Sequence, residues 1–436
     1  MPKLAIIGAG SIAFAQTLIR DVLSFESLRA SDFRLMDIDE ERLDVTYQWT
    51  RKLLEQEKLP ATVSKTLDRT EALDGADYVM CAILANGIEP FANEIDIPFK
   101  YGLTQPVGDT MGVGGIFRAL RTIPILVDIC RDMERLCPEA TMLNYTNPMT
   151  MLTWACNEAT KVKFVGLCHG VPITAHELAK LAGLEPAQVK YLTAGINHMA
   201  WFLRIEDLAG NSLYPKLWEK IDRDGPPEGD KLRWDLARYV GYFMTESSGH
   251  LSEYIPYYRK RPDLIAQFDA PGKFAGQHAA ILEDYRTHWK AHAERTYQQI
   301  RGEEPLPFGG RSGEYASNII HALEGGGLFC FNGNVMNHGL ISNLPEGACV
   351  EVPCFVDNVG LHPTPVGALP PVCAALNQSN LSAQGMAVQA ALTGDRELAF
   401  HSVFVDPLTS ALLAPSEIKA MFDELFEANR QWMPEF

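Results

Sequence analysis

At 436 residues, with 55 acidic against 38 basic side chains and a formal charge of −17, the chain is long enough for two domains and too acidic to suit nucleic acid or an anionic membrane as partner. It has no apolar stretch approaching the ~20 residues that span a bilayer and no cleavable leader ahead of Lys3, so a cytoplasmic globular enzyme acting on a neutral or locally neutralised small molecule is expected. Nine cysteines at irregular spacing form neither an even-numbered framework nor a CxxC zinc pattern, which points to mostly buried, reduced thiols.

Leu4-Ala5-Ile6-Ile7 is a short apolar run of strand type, and Gly8-Ala9-Gly10-Ser11 follows it at once. Glycines there let the backbone close against a pyrophosphate at the start of a helix. The third position of this Rossmann fingerprint is Ala13, and a second strand, Phe33-Arg34-Leu35-Met36, ends in Asp37. A carboxylate there suits an adenosine ribose 2′-hydroxyl and repels a 2′-phosphate, so NAD is expected over NADP. A tight strand-to-helix turn without a ligand is the alternative.

Tyr78-Val79-Met80-Cys81-Ala82-Ile83 has the apolar continuity of a buried parallel strand, and Asn86 then opens a turn where a loop would pass beneath a dinucleotide. Ile116 to Cys137 is helical in pattern despite Pro124, and Ala140 to Tyr145 is a further strand, broken by Thr146-Asn147-Pro148. Phe164-Val165-Gly166-Leu167 delivers Cys168 and His169 at a strand's carboxyl end, where open parallel sheets place their ligands. Thirty residues after Cys168 stands His198, a possible metal partner, and a metal pair beside a dinucleotide turn suggests redox chemistry at a metal-held hydroxyl.

Beyond residue 200 the chain is richer in Trp, Tyr and charged residues, with breaks at Asp224-Gly225-Pro226-Pro227 and at Pro271-Gly272. Strand-like runs such as Ala348 to Pro353 follow, and the last forty residues are helical in pattern. The expected fold is α/β: a Rossmann-type doubly wound sheet of the lactate/malate dehydrogenase kind over residues 1–200, then a mixed α+β domain over 201–436 serving substrate, metal site and oligomerisation.

Six segments in register resemble glycoside hydrolase family 4: Gly8 to Ser11, Met36 to Asp39, Asp109-Thr110-Met111-Gly112-Val113-Gly114-Gly115, Asn144 to Pro148, Gly166 to Val171 and Ala194 to His198. Within that family Arg118 to Pro124, and Glu246-Ser247-Ser248-Gly249-His250 through Glu253-Tyr254, are most similar to the melibiose-type α-galactosidases. The resemblance implies an exception to the two-carboxylate scheme of glycosidases. NAD oxidises the hydroxyl at carbon 3, which acidifies the proton at carbon 2; a base removes it, the aglycone leaves, water adds and the ketone is reduced again. A divalent cation, usually manganese, holds the hydroxyls at carbons 2 and 3.

The resemblance also implies roles for residues. Cys168 and His198 become metal ligands; taken alone they could equally be a buried small hydrophobe and a core histidine. Tyr254 matches the family's base, a role that needs a nearby cation because a free phenol titrates near ~10; the alternative is an aromatic packed at a domain edge, with Tyr257 and Tyr258 close by. His250 is a second group for proton transfer, for orienting the base or for contacting the sugar. His169 and Asp109 compete as the acid that protonates the departing oxygen. Asn147 matches a substrate-contacting asparagine, and Arg311 a basic position that would meet a hydroxyl or a uronate carboxylate.

Gly170 and Gly249 depart from the α-galactosidase pattern, which carries serine and glutamate there, and losing two polar groups can change which sugar epimer is accepted. An α-galactoside leads, with α-glucoside and α-glucuronide or galacturonide behind it. Relatives form dimers or tetramers, so a homo-oligomer is expected. An NAD-dependent hydroxyacid dehydrogenase and a non-catalytic NAD-binding sensor are the competing classes.

Overall fold

The computed structural model describes residues 1–268 and 278–436, so the Pro271-Gly272 break lies outside the described residues. Its strands are β1 (Lys3–Ile7), β2 (Asp32–Met36), β3 (Thr62–Thr66), β4 (Tyr78–Cys81), β5 (Thr141–Asn144), β6 (Lys163–Leu167), β7 (Val189–Ile196), β8 (Met199–Asp207), β9 (Phe329–Met336), β10 (Cys349–Asp357) and β11 (Gly360–Pro363). They form one sheet in the order β3-β2-β1-β4-β5-β6-β9-β10-β7-β8, with β11 on β10.

The first six strands are parallel and take the doubly wound order 3-2-1-4-5-6. Their alternating side chains feed two separate cores. Leu4, Ile6, Tyr78, Met80 and Leu143 belong to one, and Ala5, Ile7, Val79, Cys81 and Met142 to the other. Burial on both faces explains why β1, β4 and β5 are largely unbroken apolar runs, whereas the edge strand β3 has no buried residue.

The sheet does not stop at β6. The antiparallel β9 pairs with it through Gly166↔Asn334 and Leu167↔Gly333, and β9, β10 and the β7–β8 hairpin carry the sheet onward. The strands of the carboxyl-terminal half therefore extend the first sheet.

Element ends differ from the sequence expectation by a few residues. The long helix Gly112–Leu136 begins ahead of Ile116, takes in Val113 and contains Pro124 without ending there. The strand at Tyr78 stops at Cys81, and that at Cys349 runs through Pro353 to Asp357. The carboxyl-terminal segment is helical over Pro415–Ala428. Seven cysteines are buried free thiols, while Cys168 is half-buried and Cys330 exposed. Among the described residues no helix is long and apolar enough to cross a membrane.

Candidate active site

Because β1, β2, β4, β5 and β6 run parallel, their carboxyl ends share one edge, and each hands a predicted site residue to the loop that follows. In chain order these are the glycine turn, Asp37, Asn86, Asn147 and Cys168.

Gly8 has φ +92°, and a Cβ on it would collide with the Ala82 carbonyl of the neighbouring strand's loop. Gly8 and Ala9 N–H both donate to the Met36 carbonyl, which ties the turn to the end of β2. Asp37 Oδ2 accepts from Gly10 N–H at 2.7 Å and its Oδ1 from Asp39 N–H at 3.0 Å. The carboxylate is thus fixed against the turn, with lone pairs left for further donors. Ser11 caps the helix Ile12–Ser24 without a side-chain cap bond, so the first-turn amides remain available to an anion. Exposed Asn86, at φ 59°, bends the loop after β4. This close, glycine-lined turn against a helix terminus fits a dinucleotide.

Cys168 follows β6 directly, and Gly170, the first residue of the helix Gly170–Leu181, donates its N–H to Cys168 Sγ at 3.3 Å. A helix amino terminus favours a thiolate at that position. His198 sits in the tight turn between β7 and β8 with left-handed φ 63°. Glu246 joins them from a loop, itself at φ 70°, and the Cys168, His198 and Glu246 donor atoms all lie within 4.8 Å of one another. The short helix Ser248–Tyr254, capped by Ser247, presents His250 and Tyr254 four residues apart and so on one face. The His198 ring lies 4.5 Å from that of His250 and 6.4 Å from that of Tyr254.

Asp109 completes the cluster. It lies 3.5 Å from His250 Nε2 and accepts from Asn147 Nδ2 at 3.4 Å. Its loop is held by Glu253, which accepts from the N–H groups of Val107 at 2.7 Å and Gly108 at 3.0 Å.

Burial would raise the Asp109 carboxyl, but the His250 imidazole, Arg118 and His198 outweigh it and hold it well below the usual range. Burial would lower His250, yet Asp109, Glu246 and Glu253 lift it to about 9. His198 is pushed down by burial to about 4 and is therefore a neutral imidazole, the form that binds metal. Burial, followed by the charges of Glu246 and Glu351, drives the Cys168 thiol up, opposed by Gly170 N–H and Asn197. Burial likewise lifts the Tyr254 phenol well above its ordinary value, opposed by the Thr110 hydroxyl. The Glu314 hydrogen bond raises His169.

The donors fit a divalent cation. His198 Nε2, 3.9 Å from Glu246 Oε1, makes no hydrogen bond among the described residues, and the thiol next to it has its anion disfavoured by the Glu246 and Glu351 carboxylates. A cation would answer both.

Asp109, Asn147, Cys168, His198, His250 and Tyr254 are therefore brought to one place. His169 is half exposed at its rim, its Nδ1 3.1 Å from Glu314 Oε1. Arg311 is exposed and lies with its guanidinium 4.1 Å over the Phe25 ring, beside the end of the helix Ile12–Ser24. Glu246, Glu253 and Glu314 are not among the site residues that the sequence motifs single out. Glu246 and Glu253 stand in the same short segment as His250 and Tyr254, which was the available signal; nothing local marks Glu314.

The model of "Family 4 glycosyl hydrolase" matches residues 3–184, and that of its C-terminal domain matches 193–409. An α-galactosidase of Bacillus subtilis (strain 168) is 40% identical over 100% of both chains. An α-galacturonidase of Thermoanaerobacter italicus is 30% identical over 99% of this chain and 97% of its own. A 6-phospho-α-glucosidase from gut microorganisms, solved with NAD and Mn2+, shares the fold with a TM-score of 0.83 at 19% identity, covering 99% of each chain.

Proposed function

The chain belongs to family 4 of the glycosyl hydrolases and is a glycosidase, and from that premise we propose that it cleaves an α-galactoside by oxidation at carbon 3 of the sugar, elimination, water addition and re-reduction. The observation that carries this reading is the gathering of Tyr254, His250, Asp109 and Asn147 around the Cys168/His198 pair, on the sheet edge that also bears the glycine turn.

Gly8, Gly10, Ser11, Asp37 and Asn86 would hold the dinucleotide, and Cys168 and His198 the cation. When bound, NAD supplies reversible oxidation of the carbon 3 hydroxyl, and manganese, present in the solved relative, supplies Lewis acidity beside the sugar hydroxyls. The chain's own groups handle the protons. A proton at carbon 2 is far too weakly acidic beside an alcohol and becomes removable beside a carbonyl, so oxidation precedes elimination. Tyr254 takes that proton. His169 protonates the departing oxygen: Glu314 engages one ring nitrogen and the imidazole keeps a second, at the exposed rim where an aglycone leaves. Asp109 is the less suited acid, because His250 and Arg118 hold it as an anion; it orients His250. Asn147 and His250 contact sugar hydroxyls.

Identity of 40% to an α-galactosidase against 30% to an α-galacturonidase supports the neutral sugar over a uronide. Arg311, committed to the Phe25 face, adds no support for a carboxylate partner. A reducing cytoplasm keeps Cys168 a thiol. A homodimer or homotetramer would use the carboxyl-terminal half, where Tyr239 and Tyr257 are exposed. Residue 200 falls inside β8, and Cys168 and His198 precede it, so we divide the chain functionally ahead of β7 at Val189, with the metal pair between the dinucleotide strands and the segment carrying His250 and Tyr254.

The test is reduced protein with NAD and Mn2+ against p-nitrophenyl α-galactoside, α-glucoside and α-glucuronide, with product carbon 2 followed in D2O. Cleavage that needs both additions, fastest on the galactoside and with solvent deuterium at carbon 2, is expected. Stoichiometric NADH formation without cleavage would instead identify a dehydrogenase.

A further inference from the structure

We propose that Glu246 is a third protein ligand of the divalent cation, and that in this chain Gly170 leaves the room its carboxylate occupies. The inference rests on the reading of Cys168 and His198 as metal ligands and extends it.

Three observations converge. Glu246 Oε1 lies 3.9 Å from His198 Nε2 and Glu246 Oε2 3.6 Å from His250 Nδ1, and among the described residues no hydrogen bond reaches the carboxylate. The first separation is too long for a hydrogen bond but suits two donors of one ion, since bonds of about 2.0–2.3 Å allow donors to stand about 3–4.5 Å apart. Cys168 Sγ stands within 4.8 Å of both.

The second observation is the space itself. A Cβ on Gly170 would stand 2.7 Å from Glu246 Oε1, closer than real contacts allow. The atoms that Cβ would meet are the end of the flexible Glu246 side chain rather than backbone, so an added methyl would push the carboxylate aside without unfolding the protein. The third is the backbone at Glu246, whose φ of 70° is uncommon for a residue with a side chain and persists only where surrounding structure holds it.

Chemistry supports the assignment. A thiolate and an imidazole alone form a soft pair that favours zinc or copper, whereas a carboxylate adds the hard oxygen that manganese or magnesium prefers. One sulfur, one nitrogen and one oxygen from the protein still leave room on a six-coordinate ion for two sugar hydroxyls and a water.

The experiment measures Mn2+ binding to the NAD-bound protein without sugar, by the free-ion EPR signal, for the parent, Glu246→Gln, Gly170→Ala and Cys168→Ser. Thermal unfolding in chelator checks that each variant is folded. Removing even a hydrogen-bond partner behind a metal ligand weakens metal binding about 10- to 100-fold, so Glu246→Gln should lose at least that much, and Gly170→Ala should lose affinity with its folding intact. With Co2+ in place of Mn2+, loss of a ligand alters the d–d absorption bands, which loss of a distant charge does not. Parent-like affinity and bands in both variants, with binding lost in Cys168→Ser, would overturn the role of Glu246 and leave the metal site standing. Parent-like binding in Cys168→Ser as well would remove the metal site and this inference together.

Discussion

The His250 imidazole stands 3.5 Å from the Asp109 carboxylate, joining the helix that carries Tyr254 to a loop more than a hundred residues earlier in the chain. Asp109 is buried and His250 largely so, and the positive member also faces Glu246 and Glu253.

This contact has a pH signature. His250 is raised from 6.5 to about 9 on folding, with burial opposing and Asp109 the main favourable partner. A raised histidine contributes stability that is fully present below about pH 6.5 and is lost as pH climbs through 9. Urea unfolding in chelator should therefore find His250→Gln less stable than the parent near pH 6, by roughly 1–3 kcal/mol. The difference should shrink toward pH 9. A constant difference across that range would show that His250 is not charged in the fold.

Glu351 should make stability fall with rising pH as well, over a lower window. It is buried on β10, and burial together with the Glu246 charge raises its carboxyl from 4.5 to about 8, with Asn334 and Asn197 opposing. A raised carboxyl makes the folded state hold its proton more tightly, so stability falls as pH rises from 4.5 to 8. Glu351→Gln, measured in chelator, should be close to parent stability near pH 4.5 and more stable than the parent, by a few kcal/mol at most, at pH 8. A Gln variant that loses ground with rising pH contradicts this.

Tyr254→Phe isolates the proton step. The ring is buried and keeps its packing, so the melting temperature should change little. The turnover number should fall by about 10²- to 10⁴-fold, the usual worth of a positioned acid or base, and exchange of the carbon 2 proton with solvent should fall in parallel. Binding of NAD and Mn2+ should be unchanged. Retained exchange would assign the base elsewhere.

Asp37→Asn tests cofactor choice. The amide keeps one acceptor for the turn formed with Gly10 and Asp39 while removing the charge that repels a 2′-phosphate. Calorimetric titration should show the NAD-over-NADP preference reduced by about tenfold, equivalent to about 1.4 kcal/mol. An unaltered preference would mean that Asp37 serves the turn alone.

What the chain determines by itself is the parallel half of the sheet and its ligand edge. Strands buried on both faces need continuous apolar runs, and a backbone that turns into a helix against a phosphate needs glycine, so β1, β4, β5 and β6 and the Gly8 turn are written in neighbouring residues. Placing Cys168 at a strand's carboxyl end follows from the same local pattern.

Tertiary structure alone decides what surrounds that edge. The pairing of β9 on β6, which carries the sheet into the carboxyl-terminal half, is set by contacts between Gly166 and Asn334 that no local periodicity encodes. Convergence of Glu246 on the space left by Gly170, the hold of Glu253 on the Asp109 loop, and the reach of Glu314 to His169 all depend on side chains from elements distant in sequence. Isolated carboxylates in polar stretches look like solvated surface. Their ordering into a buried charge network around Cys168 and His198 arises only when the folded sheet brings them into a low-dielectric pocket, where each charge fixes the state of the next.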